Sequence, residues 1–162
     1  MKRLIILVCF IQLFSNYVHS KSTILFLGDG MGITTITAAR IYEGQAKGID
    51  GESHSLSFEN FDNVAFVKTY SADAQIPDSA GTMSAIMTGQ KTRSGVISVG
   101  PEYDRGDCES VLKDSRTTLL ELAEKAGLKT GIITTARITD ATPAATYAHA
   151  SDRTWENDEK IP

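Results

Sequence analysis

Hydrophobic and polar residues fall in blocks along the chain. The first block, residues 4–14, is apolar throughout except for Gln12; Lys2 and Arg3 precede it, and a polar stretch ending in Val18-His19-Ser20 follows. Eleven residues are too few to cross a bilayer, which takes roughly 20. A basic start, an apolar middle and small residues at the end form the three-part pattern of an export leader. The expectation is a signal peptide over residues 1–20, a mature chain over residues 21–162 without a transmembrane anchor, and a periplasmic or extracellular location. Cys9 follows Val8 rather than a small residue, which argues against a lipid anchor at that cysteine.

The later apolar blocks are shorter and alternate in type. Residues 23–27 (TILFL) end at Gly28 and read as a strand buried on both faces, the kind found in parallel sheets. ITTITAARIY then reads as a helix, and residues 44–52 as a loop. Residues 63–70 alternate as a strand does. MSAIMTG extends a helix that begins near Ser79 and stops at Gly89. Residues 94–115, rich in Gly, Asp and Pro, read as a surface excursion. Residues 118–126 give the clearest helix, with Leu119, Leu120, Leu122 and Ala123 on its apolar face and Gly127 as its stop. KTGIITT reads as another buried strand, and Pro143 sits in the first turn of a helix over AATYAHA. Alternating strands and helices predict an α/β domain built on a parallel sheet, with sites just beyond the carboxyl ends of its strands. Asp29 and Asp140 both fall at such ends.

Charge narrows the partners. The chain carries a net charge of −4, and −6 without residues 1–20. No basic face for nucleic acid is expected from such a balance, and any phosphate chemistry needs a local arginine or metal ions. Beyond the leader, Cys108 remains, either as a free thiol or with a partner elsewhere.

Several motifs carry candidate chemistry. GDGMG lacks the third glycine of a dinucleotide fingerprint, because position 33 is Ile33. A carboxylate flanked by glycines can instead approach a cation without crowding, which makes Asp29 a candidate metal ligand; the plainer reading is a tight turn. PDSAGT has Pro77 where a nucleophile elbow has glycine, and neither His54 nor His149 stands in a context that suggests a base. Ser79 therefore reads either as a helix cap or as a nucleophile activated by metal. Thr142 and Asp140 read as a cap and its brace, or as cation ligands. Arg40, Arg137 and Arg153 have equal claims to grip a phosphate.

Taken in order, ILFLGDGMG, PDSAGTMSAIMTGQKT and GIITTARITDATPAATYAHASDR resemble the alkaline phosphatase family, from about residue 21 to residue 162. The resemblance implies a doubly wound α/β sheet with helices on both faces, incomplete in this chain. It also implies hydrolysis of phosphate monoesters through a phosphoserine, with two zinc ions and one magnesium ion as cofactors and a homodimer at full length. Ser79 matches the nucleophile, which is also a zinc ligand. Asp78 matches the carboxylate that orients the phosphate-gripping arginine, and Arg153 matches that arginine. Asp29 matches the ligand that bridges zinc and magnesium. Thr142 matches a magnesium ligand, and Asp140 lies in the magnesium's outer shell. Some relatives carry His and Ser at these last two places; the Asp/Thr pair resembles the enterobacterial pattern and favours magnesium.

The family's remaining zinc ligands and a magnesium-binding glutamate lie downstream of Pro162. The resemblance thus implies the N-terminal part of a longer precursor, inactive alone, with a partner for Cys108 beyond residue 162. Two other readings stand beside it: a related metal-dependent phosphodiesterase or sulfatase, and a non-catalytic phosphate- or metal-binding fragment.

Overall fold

The computed structural model describes residues 22–162. The leader expected at residues 1–20 lies outside them. The first helix, α1, spans Ile33–Ala46, four residues beyond the predicted stretch, and starts at Gly32 without a side-chain cap. Arg40 on α1 pairs with Glu59 in the short turn Ser57–Asn60, and Glu59 also accepts the Leu56 amide.

The second helix, α2, spans Ser79–Thr88. Asp78 caps it, accepting the Gly81 amide at 3.0 Å, and Gly89 ends it at φ 73°, a left-handed conformation that costs glycine little. Two shorter helices follow, α3 over Glu109–Asp114 and α4 over Leu119–Lys125. Thr118 and Glu121 close a capping box at the start of α4, each side chain satisfying the other's backbone amide. The last helix, α5, spans Ala141–Ala144, which corrects the helix predicted over AATYAHA: it includes Pro143 but ends at Ala144, where that run begins, and residues 145–147 form a turn.

The core lies where α2 meets α5. Met83 and Met87 of α2 pack with Ile97, Ala141, Ala144 and Ala145, and Leu120 of α4 closes one side. Each Met or Ile buried in this way is worth roughly 1.5–3 kcal/mol. The alanines let the two helices approach closely, and buried hydroxyls stitch the junction. Ser84 Oγ accepts the Ser98 amide at 2.8 Å, Ser98 Oγ donates to the Ala145 carbonyl at 2.9 Å, and Thr118 Oγ1 donates to the Thr146 carbonyl at 2.7 Å.

Two sequence expectations are corrected. Residues 95–100, read as part of a surface excursion, are buried, with Val96, Ile97 and Val99 nearly inaccessible. Their glycines and serines resemble loop composition, but Ile97 bridges Ala150 and Val99 bridges Ser115, pinning the segment between helices. Conversely, residues 23–27, 63–70 and 129–135 form no strand or ladder among the described residues, and Phe26, Phe66 and Ile133 are exposed. Strands of a parallel sheet are buried only when neighbouring strands and both helical layers are in place. The sheet is incomplete in this chain. Leu119 and Leu122, expected on the apolar face of α4, are exposed.

Candidate active site

Short polar motifs at helix starts converge on one cleft of about 500 Å³, whose lining includes Asp29, Asp78, Ser79, Thr82 and Thr142. At the start of α2 the division of labour between neighbours is clear. Asp78 takes the cap, so Ser79, the first helical residue, keeps its hydroxyl free of that duty. Ser79 Oγ instead accepts a hydrogen bond from Arg153 Nη1 at 3.0 Å. It stands at the positive end of a ten-residue helix, where unpaired amides favour negative charge.

Two carboxylates hold Arg153. Its Nη1 donates to Asp78 Oδ2 at 3.0 Å and its Nη2 to Asp140 Oδ1 at 3.1 Å, while its backbone amide donates to the Gly95 carbonyl at 2.8 Å. Burial pushes the Asp78 carboxyl up, but the amides of Gly81 and Gly95 and the Arg153 guanidinium outweigh it and hold Asp78 below the usual carboxylate value. Asp78 therefore stays charged across the neutral range. The other arginines are engaged elsewhere, Arg40 with Glu59 and Arg137 with Glu156.

In the same cleft, Thr142 Oγ1 donates to Asp29 Oδ2 at 2.5 Å. The cap of α5 is Asp140, whose Oδ1 accepts the Ala141 amide at 2.8 Å. This corrects the reading of Thr142 as the cap: Thr142 lies inside the first turn, which leaves its hydroxyl free to reach Asp29. A carboxylate beside a hydroxyl is a hard oxygen pair of the kind magnesium takes. The fit is partial, since no group of three or more His, Cys, Asp or Glu side chains placed to hold a metal occurs among the described residues. Zinc would find Asp29 and Ser79 but no histidine there.

Neither His54 nor His149 is hydrogen-bonded to Ser79. His149 lies between the Ser98 carbonyl (2.9 Å) and Glu121 Oε1 (3.2 Å), and His54 lies beside Glu43 at 3.5 Å. Among the described residues no Ser-His-Asp relay forms at Ser79. All six residues singled out from the motifs, Asp29, Asp78, Ser79, Asp140, Thr142 and Arg153, fall into this one region. Gly95, which the sequence reading passed over, joins them through its backbone; its only local signal is a glycine followed by Val96, Ile97 and Val99, buried positions in a loop-like stretch.

Known proteins similar to this chain share one family. The family model described as alkaline phosphatase matches residues 20–162. The human tissue-nonspecific alkaline phosphatase isozyme is 44% identical over 143 residues, covering 88% of this chain and 27% of the relative. Alkaline phosphatase 4 of Drosophila melanogaster is 47% identical over 144 residues, covering 88% and 24%. A variant of the alkaline phosphatase from the Antarctic bacterium TAB5, solved with magnesium bound, superposes with a TM-score of 0.63 at 29% identity, covering 79% of this chain and 32% of that one. The chain thus spans about a quarter of the length of the curated relatives it matches. With ordered motifs, one shared cleft and a family match over nearly all its length, this chain belongs to the alkaline phosphatase family.

Proposed function

We propose that this chain supplies part of the active site of a metal-dependent phosphomonoesterase that works through a phosphoserine at Ser79. The observation that carries the reading is the contact of Arg153 with both Ser79 Oγ and the carboxylate that caps the serine's helix. A guanidinium fork at that place pairs with two unesterified phosphate oxygens. Asp78 and Asp140 hold the fork, and the α2 amides add positive character beside it.

Ser79 Oγ attacks phosphorus in line with the ester oxygen; the P–O(ester) bond breaks, and the leaving alkoxide takes a proton from water while the serine proton passes to solvent. Water then attacks the phosphoserine and releases phosphate. Arg153 stabilises charge on the non-bridging oxygens in both steps. Asp29 and Thr142 are the residues of this chain that would hold magnesium, and Asp29 and Ser79 those that would hold zinc. Such ions supply Lewis acidity, which lowers the hydroxyl pKa and offsets phosphate charge. The described residues hold no group of three or more His, Cys, Asp or Glu side chains placed for a metal; on this reading the chain is inactive by itself, and the family resemblance implies a homodimer at full length.

Export is part of the same proposal and rests on residues 1–20, with residues 21–162 as the N-terminal part of the catalytic domain. Among the described residues no helix is long and apolar enough to cross a membrane.

Hydrolysis of a chromogenic phosphate monoester, a diester and a sulfate ester by the full-length, metal-loaded protein tests the reading. The monoester should be preferred by roughly 10²-fold or more, because only it brings a dianionic group to the fork. Equal or greater turnover of the diester or sulfate ester would overturn the proposal.

A further inference from the structure

Arg153 reaches Ser79 from a segment with no helix or ladder of its own, so something else must fix where that segment lies. Three contacts do so. Arg105 donates through Nε and Nη2 to the two carboxylate oxygens of Asp152, both at 2.9 Å, and Asp152 is the residue before Arg153. Asp152 Oδ1 also accepts from the amide (2.8 Å) and the hydroxyl (2.9 Å) of Thr154, the residue after Arg153. The loop that carries Arg105 is tied to the same strip, since the Gly106 amide donates to the Ser151 carbonyl at 2.9 Å.

Gly95 completes the arrangement. Its carbonyl accepts the Arg153 amide, and its own amide faces the Asp78 carboxylate. The Arg105 guanidinium lies directly over it: a Cβ at position 95 would come within 2.6 Å of Nε, Cζ and Nη1, and φ there is +78°. Arg105 is thus sandwiched between Gly95 and Asp152, the two residues that determine where the Arg153 backbone sits. Its side chain is 44% exposed, so it is not a core residue whose loss would empty a cavity.

We infer that the Arg105–Asp152 pair, closed over Gly95, is a latch that positions the Arg153 guanidinium for phosphate at Ser79. The inference rests on the reading of Arg153 as the phosphate grip. Arg105 and Asp152 are positioning residues that act through Arg153 and do not touch substrate themselves. A fixed fork gains more from each phosphate oxygen than a mobile one, since displacement of about 1 Å is enough to cost a site much of its effect.

The test measures binding of inorganic phosphate to the full-length, metal-loaded protein, with metal content and Tm followed alongside. Arg105→Ala and Asp152→Asn should each weaken phosphate binding by about tenfold, with metal content unchanged. Arg105→Lys, which keeps the charge without the fork, should recover part of the loss. In an Arg153→Ala background Arg105→Ala should have no further effect, because the latch has nothing left to position. An equal loss in that background, or no loss from Arg105→Ala in the wild type, would overturn the latch. Unchanged phosphate binding in Arg153→Ala alone would overturn the grip, and the latch with it.

Discussion

Arg153 Nη1 lies 3.0 Å from Ser79 Oγ, although the two residues are 74 positions apart in the chain. The same nitrogen is 3.0 Å from Asp78 Oδ2, so serine and cap are read by one guanidinium. Neither contact is needed to form α2, whose cap is complete once Asp78 accepts the Gly81 amide.

From that contact, Arg153→Ala in the full-length protein should lower kcat/KM and weaken inhibition by inorganic phosphate, each by roughly 10–10²-fold. Arg153→Lys should fall between the two, since it retains a point charge and loses the fork. Steady-state kinetics with phosphate as inhibitor checks both, and wild-type phosphate inhibition in Arg153→Ala would exclude the grip.

The Asp29–Thr142 pair leads to a metal prediction. Asp29→Asn and Thr142→Val should each weaken magnesium binding by at least about tenfold. Magnesium titration with elemental analysis reads this directly. Wild-type affinity in both variants would remove the pair from the magnesium site.

How much of this was legible in the sequence depends on the range of the interaction. Helices α2 and α4 were readable because caps are local: Asp78, Gly89, Thr118 and Gly127 mark their ends within a few residues. Composition and periodicity left Arg40, Arg137 and Arg153 with equal claims, and only the family resemblance pointed to Arg153, because Glu59 and Glu156 each sit 19 residues from the arginine they occupy and leave no periodic trace. The burial of residues 95–100 was missed for a related reason, as their bridge partners Ala150 and Ser115 come from elsewhere in the chain. Apolar runs at 23–27 and 129–135 state that a face is to be covered but not by what.

The Arg137–Glu156 pair sets an acid limit on the segment that carries Asp140. Arg137 and then Thr139 hold the Glu156 carboxyl down to about 2 from its usual 4.5. A depressed carboxylate contributes stability above its unfolded pKa and loses it as pH falls through the folded value. The difference in denaturation midpoint between wild type and Glu156→Gln should thus be full above about pH 4.5 and shrink toward about pH 2. A difference that stays constant over that window would show that the pair is not carrying the effect.

Thr118 joins two elements through one hydroxyl, accepting the Glu121 amide at 3.2 Å and donating to the Thr146 carbonyl at 2.7 Å. Thr118→Ala should destabilise the protein by about 1–2 kcal/mol in chemical denaturation. Thr118→Ser, which keeps the hydroxyl, should recover most of it; equal losses in the two variants would place the effect in the methyl group instead.

The central claim is that Ser79 becomes phosphorylated during turnover. Incubating the full-length, metal-loaded protein with a phosphate-labelled monoester, quenching in acid and locating the label by peptide mapping tests it most directly. Label on the peptide holding Ser79 in the wild type, and none on that peptide in Ser79→Ala with metal content intact, is the predicted result. Label that persists there in Ser79→Ala, or that maps to a different residue in the wild type, would contradict it.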